Sequence, residues 1–249
     1  MRLLLPLIAL HTLTLAAGPA RFAVIVSANA EWRVVRELHP QAVMARSPYG
    51  ELFTQRIAGE PVVILQGGWG KVDAAASAQY AVDHWKPDAV FNLGTCGGIA
   101  GQIERHAIVL ANRTVIYDIV EMMGDSSAAI RDYTTAIDLA WLGPKLPLPV
   151  RLSTLVSADR DLAPADVLKL RRLYGAVAAD WESGAIARVA ARNGKRVVIL
   201  RGVSDLVGAG KGEAYGMPEV FERGTAVVMK KLFAALPAWI SFAAAAASN

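Results

Sequence analysis

The stretch WESGAIARVAARNGKRVVILRGVSD, from Trp181 to Asp205, constrains the fold more than any other part of the chain. Ala185, Ile186, Val189 and Ala190 recur at helical spacing, and Gly194 stands where a left-handed helix cap belongs. RVVIL, Arg196 to Leu200, is a short β-branched run. The stretch therefore reads as a helix, a glycine stop, a buried parallel strand and a polar turn. In open α/β sheets ligands bind beyond the carboxyl ends of the strands, which is where Arg201, Ser204 and Asp205 would lie. Glu182, at the helix start, supplies a second carboxylate.

The 249 residues are 54% hydrophobic, enough for one substantial core, and a single α/β domain is the simplest organisation. The net charge of +4 is scattered, with no basic run of five, which argues against nucleic acid as the main partner. A single cysteine, Cys96, rules out an internal disulfide, and the four histidines form no metal-ligand pattern. The first twenty residues are different in kind: Arg2, an apolar run from Leu3 to Ala17, then Gly18 and Ala20. That is the pattern of a secretory signal peptide cleaved near Ala20. The run is shorter than the ~20 apolar residues of a bilayer span, so no stable membrane span is expected. Residues 1–20 are thus expected as a signal peptide and 21–249 as the domain. Such a protein works in the periplasm or outside the cell; a mis-assigned start would leave it cytoplasmic.

FAVIV, Phe22 to Val26, is a continuous apolar run, as a central parallel strand covered on both faces requires. A helical spacing starts in the following SANAEWRVVREL and puts Glu31 in the first turn. GGWGK (Gly67 to Lys71) opens a small-residue helix. Asp88 to Leu93 reads as a strand, followed by a loop with Gly94, Gly97 and Gly98. Residues 124–150 read as an excursion on the same domain, and Ala243 to Ala247 as a fraying helix end.

WESGAIA and RGVSD resemble the "MEs/tAAIA … vRaiSD" signature of the nucleosidases that cleave 5′-methylthioadenosine and S-adenosylhomocysteine, part of the nucleoside phosphorylase superfamily. The resemblance covers nearly all of residues 22–235 and implies a three-layer αβα fold with a central mixed, mostly parallel twisted sheet. It makes Glu31 the water-activating base, with Ala28 where the family usually has Met. GGWGK resembles the family's "GiGKvnAA", with Trp69 at its hydrophobic position. KPDAVFNLGTCGGIAG resembles "kPDaviNtGsAGGl", so Thr95, Cys96 and Gly97 would line the site. Tyr117 and Asp118 resemble a "yhDad" region near it. SADRDLAP resembles "vSgDaFi", except that Asp161 stands where a Phe stacks on adenine, with Leu162 next. Tyr215 falls where an aromatic covers the 5′ end of the nucleoside.

By this resemblance the partner is a small-molecule purine nucleoside, no cofactor is needed, and the protein is a homodimer because family pockets are completed by a neighbouring subunit. Asp205 would donate a proton towards purine N7 and Glu31 would activate water. Glu182 would hydrogen-bond the ribose hydroxyls, Trp181 would pack beside it, and Arg201 and Ser204 would complete the binding set, with Arg201 orienting the loop or contacting Glu182. Hexameric phosphorylases carry a phosphate-holding Arg at the position of Asn92, and neutral Asn cannot supply that charged clamp. A phosphorylase and a non-catalytic nucleoside-binding protein are the alternatives.

Overall fold

The computed structural model describes residues 19–143 and 145–247; the expected signal segment, apart from Pro19 and Ala20, lies outside them. The chain runs β1 (Phe22–Val26), α1 (Asn29–Leu38), β2 (Ala45–Ser47), β3 (Gly50–Ile57), β4 (Glu60–Gln66), α2 (Gly70–Trp85) and β5 (Ala89–Ile99). It continues with β6 (Ile108–Ile116), α3 (Ser126–Asp132), β7 (Thr134–Ala136), β8 (Arg151–Ser157), α4 (Val167–Tyr174) and β9 (Ala176–Asp180). α5 (Ser183–Arg192), β10 (Arg196–Val207) and α6 (Pro218–Ala247) complete it.

β4, β1, β5 and β10 pair in parallel through the centre of the sheet, and β3 and β2 extend one edge antiparallel. On the other side β10 pairs antiparallel with β6, and β6, β8 and β9 are parallel. β9 then returns to β5, so five of the strands close on one another. The physical logic is visible in β1. Its alternate residues Ala23 and Ile25 pack into one core, and Phe22, Val24 and Val26 into the opposite one. α2 and α5 cover the first face with Ala74, Ala78, Ile186 and Ala190. α1 and α6 cover the second with Trp32, Val35, Leu232 and Trp239.

Two expected boundaries change. The glycine loop at residues 94–98 is strand, because β5 continues to Ile99 in parallel register with β10 from Ala89↔Arg196 to Ile99↔Val207. RGVSD is likewise strand and not a polar turn; a register shift between Val203 and Asp205 makes Ser204 a bulge. Gly194 does take the left-handed conformation expected of it, with φ of 61°. The alanine run is part of α6, which reaches Ala247 and buries Ala243. By length and composition α6 could cross a membrane, but its face carrying Val228, Met229, Leu236 and Ile240 is buried against the sheet.

α6 approaches the strand that carries the polar residues closely enough to require glycine. A Cβ at Gly224 would lie 2.2 Å from the Ser204 carbonyl oxygen, a backbone atom that cannot swing away. Gly224→Ala is expected to push α6 off the Ser204 bulge and destabilise the fold by about 1–3 kcal/mol, as overpacking does. Thermal unfolding of the variant checks this, and an unchanged midpoint would show that the helix can shift freely.

Candidate active site

The carboxyl ends of β1, β5, β8, β9 and β10 meet at one cavity of about 330 Å³, within the range of small-molecule pockets. Its wall includes Ala28 and Glu31 after β1, and Thr95, Cys96 and Gly97 from β5. Arg160, Asp161 and Leu162 come from the segment after β8, and Asp180, Trp181 and Glu182 from the end of β9. Ser204 and Asp205 from β10 and Tyr215, Pro218 and Phe221 from the final loop and helix complete it.

Behind this wall lies Arg201, 1% exposed. It does not line the cavity, so its expected place among the ligand contacts is not met, whereas its expected contact with Glu182 is made. Three buried carboxylates hold it instead: Asp180 at 2.8 Å, Glu182 at 3.3 Å and Glu31 at 3.5 Å. Burial works against the guanidinium's charge, yet Asp180, Glu31 and Glu182 together hold its pKa above the ordinary value. The arrangement needs Gly94, where a Cβ would sit 2.0 Å from Arg201 Nη1 and 2.7 Å from Glu31 Oε1. Asn92 is also behind the wall. Its Oδ1 accepts from Arg201 Nη2 at 2.9 Å and from Ser183 Oγ at 3.0 Å, and its amide donates to the Ile25 carbonyl at 3.1 Å.

Glu31 is set by its position at the third residue of α1. Its Oε2 accepts the Ala28 backbone N–H at 3.1 Å, the carboxylate half of a capping box. Its Oε1 accepts the Thr95 N–H at 2.5 Å and the Thr95 hydroxyl at 2.8 Å. Glu182 accepts the Gly70 N–H at 3.2 Å, which ties it to the start of α2. Burial pushes the Glu182 carboxyl up to about 8, opposed by Arg201 and reinforced by Asp180 and Glu31.

Asp205 is a separate acid. The Ser204 bulge directs it to the cavity, and the Ser204 hydroxyl donates to its Oδ1 at 2.6 Å. Burial raises its pKa, Ser204 opposes the shift, and Glu213 and Asp161 add to it. Arg201 makes no contact with Asp205 and therefore does not keep it ionised. Cys96 is buried, and burial raises its thiol well above the ordinary range, as suits a small packed residue and not a nucleophile. Gly97 lies opposite Asp205 in the β5–β10 register.

Trp181 stacks on Trp69 at 4.8 Å and 28°, making one aromatic wall with Trp69 at the rim. The Tyr215 hydroxyl donates to the Leu162 carbonyl and bridges the two loops at the mouth. Lys71 pairs with Asp118 and lies 3.5 Å from Asp159, which fastens the 159–162 segment to α2. Tyr117 and Asp118 lie beside the cavity and do not line it.

Sequence reasoning brought together Glu31, Thr95, Cys96, Gly97, Leu162, Trp181, Glu182, Ser204, Asp205 and Tyr215. It missed Asp180 and Phe221. Asp180 directly precedes Trp181, and its only signal is that position at the end of the short apolar run AVAA.

The chain matches the model of the phosphorylase superfamily over residues 16–238. Among curated relatives, a 5′-methylthioadenosine/S-adenosylhomocysteine nucleosidase of Actinobacillus succinogenes is 30% identical over 174 residues, 66% of this chain and 74% of that protein. The nucleosidase of the same name from Halalkalibacterium halodurans is 28% identical over 171 residues, 64% and 74% of the two chains. In fold, the chain is similar to the crystal structure of a Streptococcus pneumoniae MTA/SAH nucleosidase in complex with 8-aminoadenine. The TM-score is 0.71 at 19% identity, covering 88% of this chain and 98% of that one.

Proposed function

Since the chain belongs to the phosphorylase superfamily, we propose that it is a purine nucleosidase, hydrolysing the N-glycosidic bond of a 5′-substituted adenosine such as 5′-methylthioadenosine or S-adenosylhomocysteine. One observation carries the choice of water over phosphate. The cavity wall holds Glu31, Asp161, Asp180, Glu182 and Asp205, and the one lining cation among the described residues, Arg160, is paired with Asp166 at 2.6 Å. Arg201, the other guanidinium at hand, is enclosed by three carboxylates. Among the described residues the lining offers a phosphate dianion no unpaired guanidinium to clamp it, whereas neutral water needs none.

Breaking the bond develops positive charge on the ribose ring and negative charge on the departing base. Asp205, whose pKa burial raises, donates towards N7 of the purine. Glu31, held by Thr95 and Ala28, takes the proton of the attacking water. Glu182 hydrogen-bonds the ribose hydroxyls, and the acidic wall around it stabilises the developing cation. Trp181 gives the sugar an apolar face. Arg201 positions Glu31, Asp180 and Glu182, and has no direct part in the chemistry.

Two further readings belong to the same proposal. A second copy of this chain is the partner, supported by Val72, 78% exposed, on a groove between α2 and α5 that also includes Ala75, Ile119 and Val189. Export is supported by Arg2 and the apolar run of the sequence alone.

The test is release of free base from 5′-methylthioadenosine, S-adenosylhomocysteine, adenosine and inosine in phosphate-free buffer. Release that is fastest from the 5′-thio substrates is the expected result. Binding of all four without release would identify a nucleoside-binding protein and reject the enzyme.

A further inference from the structure

A second cavity, of about 930 Å³, lies between β6, α3 and α4, at the upper end of the range of small-molecule pockets. Arg160 is the one residue that lines both it and the catalytic cavity. It forms the partition between them, bonded to Asp166 at 2.6 Å with its guanidinium 5.2 Å from the centre of the Tyr117 ring. The second cavity is basic where the first is acidic. Its two lining acids are already matched, Asp166 by Arg160 and Asp118 by Lys71. Of the other lining cations, Arg131 faces Asp125 at 3.5 Å. Arg113 meets no carboxylate among the described residues: its Nε donates to the Thr154 hydroxyl at 3.1 Å and its Nη2 to the Tyr174 carbonyl, both neutral. That carbonyl ends α4, the helix that carries Lys169, and Lys169 forms no hydrogen bond or ion pair among the described residues. Two positive charges therefore line this cavity without a counter-charge. The Tyr117 hydroxyl is buried beside them and makes no hydrogen bond of normal geometry.

We propose that this cavity binds a small phosphate monoester with an apolar body, the phosphate held by Arg113 and Lys169. A phosphate monoester carries about −1.5 to −2 charges at pH 7, so it matches two cations where a single carboxylate would leave one unmatched. Arginine adds geometry, since its planar fork pairs with two phosphate oxygens at once. Ile130, Leu170, Leu173 and Tyr174 line the same cavity and offer the apolar body a surface to pack on. Inorganic phosphate brings the charge without the body, and is expected to bind more weakly. The proposal stands apart from the nucleosidase reading and needs no turnover to be tested.

The experiment is calorimetric titration of the full chain with phenyl phosphate, benzoate and inorganic phosphate at fixed ionic strength. Phenyl phosphate is expected to bind once per chain and more tightly than either of the others. Lys169→Met and Arg113→Met should each weaken it about 10- to 100-fold, the range of a hydrogen bond to a charged group. Arg172→Met, an exposed position on α4 outside the cavity lining, should leave it unchanged. Lys169→Met removes no bond of the fold, so it decides the matter alone if thermal melts show that Arg113→Met does not fold. Absence of phenyl phosphate binding, or binding that Lys169→Met leaves intact, overturns the site. An equal loss in Arg172→Met reduces the effect to surface charge and overturns it as well, and benzoate binding as tightly as phenyl phosphate overturns the choice of phosphate.

Discussion

Asp205→Asn is expected to lower kcat for base release by about 10²- to 10⁴-fold, the span of general acid catalysis, and to leave the fold intact. Asn keeps the size of Asp and can still accept the Ser204 hydroxyl, which donates to Asp205 Oδ1 at 2.6 Å. Its amide cannot hand over a proton at neutral pH. The sign of the pH dependence follows from burial. A pKa raised in the folded state keeps the proton on Asp205 to higher pH, so wild-type activity falls as pH rises through that value. The same group weakens the wild-type fold on the alkaline side, because a buried carboxyl must then ionise. Asp205→Asn should lose both effects: no alkaline limb attributable to this group, and stability equal to or above wild type at high pH. Stopped assays of base release and thermal melts across pH read the two out. A variant with wild-type kcat would remove Asp205 from the reaction.

Glu31→Gln is expected to cost activity by a similar factor, about 10²- to 10⁴-fold in kcat, but with a different stability signature. Glu31 accepts from Thr95 twice, at 2.5 and 2.8 Å, from the Ala28 N–H at 3.1 Å, and lies 3.5 Å from Arg201. Gln can satisfy one side only. With its oxygen towards Thr95, its NH₂ group meets the Ala28 N–H, donor against donor. An unsatisfied buried donor costs about 1–3 kcal/mol, so the melting temperature should drop where that of Asp205→Asn does not. Arg201 retains Asp180 and Glu182, which keeps the variant folded. Near-normal kcat with a lowered melting temperature would make Glu31 a structural residue only.

The contrast between these acids explains what could be read from the sequence. FAVIV and RVVIL are legible because strands covered on both faces must be apolar throughout. GTCGGI is not, since glycine-rich segments favour turns; it is strand because β10 lies beside it and Arg201 occupies the space a Cβ at Gly94 would fill. The RGVSD segment showed its charges but not their partners. Arg201 reads as a ligand contact only until Glu31, Asp180 and Glu182 arrive from separate segments and enclose it. Asn92 reads as a missing phosphate clamp and is found pinning that guanidinium, which three acids already occupy. Phe221 enters from α6 across a glycine-rich loop of no fixed spacing, which no local pattern could place.

The central claim is that water, and not phosphate, attacks the sugar at this acidic cavity. Mass analysis of the sugar formed from 5′-methylthioadenosine in phosphate buffer tests it directly. The account requires 5-methylthioribose as the product, at a rate independent of phosphate concentration. Accumulation of 5-methylthioribose 1-phosphate would contradict it and make this chain a phosphorylase.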